Sequence, residues 1–172
     1  LYPVSWIYGM GVYLRNKLFD WGYYQSKSFD VPVVCVGNLA VGGTGKTPHT
    51  EYLIKLLQQT GANVAMLSRG YKRKSKGYVL ATEKTDVKRI GDEPYQIKIK
   101  FPGIRVAVDE NRCHGIEQLM KLDNPKVDVV LLDDAYQHRH VKAGLNILLT
   151  DFHRLFSYDT LLPAGRLREP ED

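Results

Sequence analysis

Ala40-Val41-Gly42-Gly43-Thr44-Gly45-Lys46-Thr47 is the stretch from which the rest of the chain can be read. It follows a nearly continuous apolar run over residues 31–36, interrupted only by Pro32. Such a run suits a strand buried on both faces of a parallel sheet. It leads into residues 46–59, where Tyr52, Leu53, Leu56 and Leu57 fall on one helical face. Strand, glycine turn and helix in that order form the setting of a phosphate-binding loop, or P-loop. Glycines let backbone N–H groups turn inward around phosphate oxygens, and the helix N-terminus adds a positive dipole. In this reading Val41, Gly42, Gly43, Thr44 and Gly45 cradle the phosphates of a nucleotide. Lys46 reaches the β- and γ-phosphates, and the Thr47 hydroxyl binds Mg²⁺. The usual pattern begins with Gly where this chain has Ala40, a residue small enough to be accommodated. The competing reading, a plain glycine turn with a chance Gly-Lys-Thr, leaves the register of strand, loop and helix unexplained.

Outward from this stretch, strand and helix patterns alternate. Residues 63–67, 78–81, 104–108, 127–132 and 145–149 read as strands, and residues 93–101 and 110–122 as helices, the latter turning Ile116, Leu119 and Met120 inward. The fold class is therefore α/β: a P-loop NTPase-like, mostly parallel sheet flanked by helices. Residues 6–21 predict an N-terminal amphipathic helix with Ile7, Met10, Leu14, Leu18 and Trp21 on one narrow face. Packing on the domain is the usual fate of such a stripe. The helix region also carries Trp6, Tyr8, Tyr13, Phe19, Tyr23 and Tyr24 among several cations, a mixture that favours a membrane interface. The expected organisation is residues 1–25 as a membrane-associated helix and residues 26–172 as the nucleotide-binding domain.

Bulk composition narrows the classes. The 172 residues suffice for one domain with a real core, and the net charge of +5 suits phosphorylated ligands, nucleic acid or an anionic surface alike. Cys35 and Cys113 form no C-x-x-C pair, so a reduced, cytoplasmic setting without a cysteine metal framework is expected. No apolar run approaches the ~20 residues needed to span a bilayer. The chain starts at Leu1 and stops in Arg168-Glu169-Pro170-Glu171-Asp172, so a piece of a longer protein is expected.

Asp133-Asp134 closes the apolar strand at residues 127–132, as a Walker B strand does, and either carboxylate could hold Mg²⁺ directly or through water. Asp92, ahead of Glu93-Pro94 and a helical pattern, reads by itself as a helix N-cap. Residues 69–76 (RGYKRKSK) hold five basic residues and no acid, a basic surface for a phosphate or anionic head groups, or simply a solvated loop. No nucleic-acid fold signature accompanies it. His49, His114, His140 and His153 show no metal-ligand spacing.

Six motifs occur in order: Val36-Gly37-Asn38; Gly42-Gly43-Thr44-Gly45-Lys46-Thr47-Pro48; Ser68-Arg69-Gly70-Tyr71; Gly91-Asp92-Glu93-Pro94; Asp133-Asp134-Ala135-Tyr136-Gln137-His138-Arg139; and Leu162-Pro163-Ala164-Gly165 with Leu167-Arg168-Glu169. Together they resemble the tetraacyldisaccharide 4′-kinase (lipid A 4′-kinase) family from the first helix to the last residue. The resemblance implies transfer of the ATP γ-phosphate, with Mg²⁺, to the 4′-hydroxyl of a tetraacyldisaccharide 1-phosphate, forming lipid IVA at the cytoplasmic face of the bacterial inner membrane. It implies Asp92 as the catalytic base, acting with Lys46. Read from the residues, His138 with Gln137 could orient the nucleophile or the γ-phosphate or form an ordinary polar loop, and Glu93 could assist Thr47, Asp133 and Asp134 at the metal or merely favour the helix dipole. Arg168 would meet the phosphates, although Arg166 stands where the family has Pro and leaves the choice of arginine open. Asn38, Ser68, Arg69, Tyr71 and Gln137 would contact substrate. The family also has a C-terminal domain that supplies a histidine partner for the base, and this chain lacks that half. The resemblance implies no protein partner. The alternative is a nucleotide-switch ATPase or GTPase acting through partner binding. Val41 stands where a switch ATPase would have its first lysine, and no Asn-Lys-x-Asp follows the loop. A membrane-binding module built on the first helix alone would leave the P-loop unexplained.

Overall fold

The computed structural model describes residues 2–40, 45–152, 155 and 159–169. Val41, Gly42, Gly43 and Thr44 lie outside the described residues, as does His153. The elements run α1 (Tyr2–Asp20), β1 (Val33–Asn38), α2 (Lys46–Gln59), β2 (Val64–Ser68), β3 (Val79–Leu80), α3 (Val87–Ile90), α4 (Asp92–Lys100), β4 (Arg105–Val108), α5 (Arg112–Met120), β5 (Val129–Asp133) and β6 (Leu145–Leu149). One six-stranded sheet has the order β3-β4-β2-β5-β1-β6. Every pairing is parallel except β3 with β4.

The apolar runs become central strands because both faces of the sheet are covered. On β2 and β5, Val64, Met66, Val129 and Leu131 face one way, into a layer with Ile54 of α2 and Ile97 of α4. Ala65, Leu67, Val130 and Leu132 face the other, against Ile116 and Leu119 of α5. Alternate residues thus enter different cores, and no position on these strands tolerates a polar group without a partner. Because β1, β2, β4 and β5 are parallel, their C-terminal ends share one edge. That edge receives the segments after Asn38, Ser68, Val108 and Asp133.

Two alternative readings weighed from the sequence, Asp92 as a helix cap and the stripe of α1 packed on the domain, do not hold. Asp92 is the first residue of α4, not its cap: Gly91 holds the cap position and no side chain closes that helix end. The real side-chain cap nearby is Asp86, which accepts from Arg89 N–H and opens the short α3, a helix that periodicity over four residues does not reveal. The stripe on α1 does not pack on the domain either. Ile7 and Met10 are each 67% exposed and Leu14 54%, whereas Ser5 and Phe19 are the buried residues of the helix. Polar contacts pin α1 instead. Ser5 Oγ accepts from Ala164 N–H, Tyr8 Oη donates to Arg168 O, and Asp20 pairs with Arg139 at 2.8 Å. No helix among the described residues is long and apolar enough to cross a membrane.

Candidate functional site

The sheet edge gathers the motifs. β1 ends at Asn38, fully buried, and α2 opens at Lys46, with Gly45 turning between them in the left-handed region (φ 74°). Lys46 Nζ stands 3.4 Å from Asn38 Oδ1 and 3.6 Å from Asp134 Oδ1. Thr47 is half-buried in the first turn of α2. Gly37 permits the close approach of the loop after β5, since a Cβ there would lie 2.7 Å from Tyr136 Cβ. Gln137 Nε2 donates to Asn38 O at 2.8 Å, tying that loop to the end of β1.

Asp133 is the last residue of β5 and is 5% exposed. Burial, reinforced by the charges of Glu93 and Asp134, pushes its carboxyl up to about 7, against the opposing cations Lys46 and Arg112. Asp134 turns into the left-handed region (φ 48°), which Asp tolerates better than most residues. The turn sends its carboxylate outward to Lys46 and to Arg168, whose Nη1 lies 3.3 Å from both Oδ1 and Oδ2. Arg166 is exposed, and its backbone N–H bonds Asp159. Of the two arginines, Arg168 reaches the acidic edge.

The charges of Glu93 and Asp134 are both felt at the buried Asp133, and Lys46 pairs with Asp134. Among the described residues no three ligating side chains form a ready-made cage. That donor set fits Mg²⁺, which keeps several waters and takes part of its shell from phosphate oxygens.

His138 is half-buried, and burial together with the charges of Arg112, His140, Arg15 and Arg69 lowers it to about 4, so the ring is neutral near pH 7. Ser68 is buried and its hydroxyl accepts from Gly70 N–H, whereas Arg69 and Tyr71 are exposed, Tyr71 by 74%. Asp92 is exposed at the start of α4. Gly91 (φ 89°) precedes it, and a Cβ there would lie 2.8 Å from Tyr71 O. A Cβ on Gly70 (φ 72°) would lie 2.9 Å from Ile90 O. The turn carrying Asp92 and the loop carrying Arg69 and Tyr71 are thus packed backbone to backbone.

The basic loop is a built structure. Arg73, its side chain only 3% exposed, pairs with Glu110 at 2.7 Å and bonds Ser75 Oγ and Gly77 O. Lys72, Lys74 and Lys76 remain exposed around it.

Three residues that sequence reasoning did not assign belong to this edge. Arg112 is 5% exposed at the start of α5 and acts on both Asp133 and His138. Arg15 of α1 donates to Gln137 O and pairs with the buried Glu169 at 3.3 Å. Glu169 lies next to Arg168, so α1, the loop after β5 and the C-terminal segment meet there. A charged residue in a short apolar helix was the only available hint for Arg112. For the Arg15–Glu169 pair, 154 residues apart, there was none.

Comparison with known proteins agrees with this geometry. A sequence model of the tetraacyldisaccharide-1-P 4′-kinase family (LpxK) matches residues 1–172. Tetraacyldisaccharide 4′-kinase of Bacteroides fragilis is 72% identical over 170 residues, covering 99% of this chain and 45% of that protein. Its counterpart in Parabacteroides distasonis is 59% identical, covering 100% of this chain and 47% of that protein. The crystal structure of LpxK from Aquifex aeolicus in complex with ATP superposes with a TM-score of 0.87 at 43% identity, over 99% of this chain and 53% of that one. The chain spans about half the length of the curated relatives it matches.

Proposed function

The chain belongs to the tetraacyldisaccharide-1-P 4′-kinase family, and from that premise we propose that it is the nucleotide-binding half of an ATP-dependent kinase for the 4′-hydroxyl of a tetraacyldisaccharide 1-phosphate, forming lipid IVA. The observation that carries the reading is the pairing of Lys46 and Arg168 with Asp134, next to the buried Asp133 at the end of β5. Phosphoryl transfer asks for little covalent help from the protein. It needs positioning and charge neutralisation, and this edge supplies cations and metal ligands within one another's reach.

In the proposed mechanism, the loop amides from Val41 to Gly45 and the Lys46 ammonium hold the β- and γ-phosphates. Thr47 with Asp133, Asp134 and Glu93 would hold Mg²⁺, which would offset charge on the phosphate oxygens. Asp92 takes the proton of the 4′-hydroxyl as that oxygen bonds to the γ-phosphorus. The bond from phosphorus to the bridging oxygen breaks, and ADP leaves with the electron pair. Arg168 offsets charge on the transferring group. Neutral His138 and Gln137 orient it, and Asn38, Ser68, Arg69 and Tyr71 shape the acceptor side, with the lysines of the basic loop facing anionic groups.

The acceptor carries four acyl chains and must be taken from a bilayer. The exposed stripe of Ile7, Met10 and Leu14 with Trp6 and Tyr13 supports residues 1–25 as a peripheral contact with the cytoplasmic face of the inner membrane. Residues 26–172 form the catalytic half, and the family's C-terminal domain completes the site. A nucleotide-switch role is not favoured by any feature of this edge.

The test is ATP-dependent phosphorylation of tetraacyldisaccharide 1-phosphate by the full-length protein and by Asp92→Ala. The expected result is product from the parent and a loss of about 10²–10⁴-fold in kcat in the variant, the usual worth of a general base. No product from a folded, ATP-binding parent would overturn the proposal.

A further inference from the structure

Arg112 is a buried cation at the acidic edge, and something must fix where it points. It is the first residue of α5, and its only hydrogen bond among the described residues is Nη1 to Glu110 O at 3.0 Å, with Nε left unpartnered. Its aim therefore depends on how the first turn of α5 is seated. Asp109 seats it. This carboxylate is 2% exposed at the end of β4, its own N–H bonding Ser68 O. Its Oδ1 accepts from Asn111 N–H at 3.0 Å, and its Oδ2 lies 2.7 Å from His114 Nδ1. Asn111 in turn caps the helix by accepting from His114 N–H. With a proton on Nδ1 the His114 ring donates to Asp109, and its Nε2 lies 3.2 Å from Gln118 Nε2. The helix is held flat as well: a Cβ on Gly115 would lie 2.8 Å from Leu67 and 3.1 Å from Asp109 Cβ. The residues gripped by Asp109, at positions 111 and 114, bracket Arg112. A buried carboxylate, with two acceptor oxygens, makes both bonds at once.

We propose that Asp109, through its grip on Asn111 and His114, is a positioning residue that aims the Arg112 guanidinium at the Asp133–Asp134 end of β5 during phosphoryl transfer. The inference rests on the kinase reading above and assigns a purpose to His114, which motif spacing left without one.

A double-mutant cycle in the full-length protein tests it. Asp109→Asn keeps an acceptor for Asn111 N–H but turns an NH₂ donor toward His114 Nδ1, which reverses that bond and removes the negative charge. The single change is expected to lower kcat about tenfold, and to lower it less than about twofold when Arg112 is already replaced in Arg112→Gln, because coupled residues are non-additive. An equal fold-loss in both backgrounds, or a lowered melting temperature with kcat unchanged, would show a purely structural Asp109 and overturn the proposal. Should Asp109→Asn fail to fold, His114→Ala, at a residue exposed to solvent, carries the same cycle with the same two outcomes. A parent protein without kinase activity would instead overturn the underlying reading, and is distinguished by the assay of the unmutated chain.

Discussion

Replacing Asp133 by Asn should stabilise the nucleotide-free protein at alkaline pH while abolishing catalysis. Asp133 is a carboxyl whose folded-state pKa is raised, from 3.8 to about 7, by burial and by Glu93 and Asp134. The native state therefore binds its proton more tightly than the unfolded chain does. The stability this contributes is fully present below the unfolded value and is lost as pH rises through about 7. Three pKa units at 1.36 kcal/mol each make the whole effect about 4 kcal/mol at most, and about 3 kcal/mol of it falls between pH 5 and pH 8. Urea unfolding of both proteins at those two pH values, without nucleotide, reads the difference directly. Asp133→Asn should lose less stability on going from pH 5 to pH 8, and added Mg²⁺ with ATP should restore only the parent. Parallel pH profiles for the two proteins would refute the reasoning, because they would mean that the carboxylate is not buried against other negative charge.

Lys46→Ala should lower kcat/KM for ATP by about 10²-fold or more, since it removes one of the two cations paired with Asp134; steady-state kinetics at varied ATP checks it. Arg73→Ala should cost about 2 kcal/mol in urea unfolding, because it leaves a buried hydrogen-bonding network without its centre; an unchanged midpoint would mean that the basic loop is held by its backbone alone. Replacing Ile7, Met10 and Leu14 together by Ser should reduce sedimentation with lipid vesicles at least tenfold while moving the melting temperature by no more than about 2 °C, since these side chains are already exposed. Gly91→Ala should destabilise by about 1–3 kcal/mol, given its φ of 89° and the 2.8 Å approach to Tyr71 O; thermal unfolding with circular dichroism detection is sufficient.

The parts of the fold that were legible in sequence are those where one physical signal dominates. The bounds of α2 and β6 agree with the reading, the apolar run of β1 declared a strand buried on both faces, and the runs of β2 and β5 declared strands. Of the short elements, β3 falls within residues 78–81, which read as a strand and find an edge on β4, whereas the four residues of α3 carry no period. At the site, linear motifs singled out Lys46, Asp133 and Asp134 and left Arg166 or Arg168 open, and the structure brings Lys46 and Arg168 to Asp134. Arg112, Arg15 and Glu169 escaped because their partners lie far away in the chain, and long-range charge pairing leaves no local pattern. Asp92 misled as a cap because the signature of acid and proline in a first turn describes the turn without saying which residue precedes it.

The contact between Gly70 and Gly91 has a consequence for anyone wishing to redirect the acceptor. With no side chains between them, the Ser-Arg-Gly-Tyr loop and the Gly-Asp-Glu-Pro turn behave as two halves of one hinge plate, and a change of backbone in either displaces the other. Grafting a new loop alone would shift Asp92 along with the intended contacts, so the two segments should be exchanged together. Variation that leaves the plate intact is confined to the outward positions Lys72, Lys74 and Lys76, where library design can begin without disturbing the carboxylate.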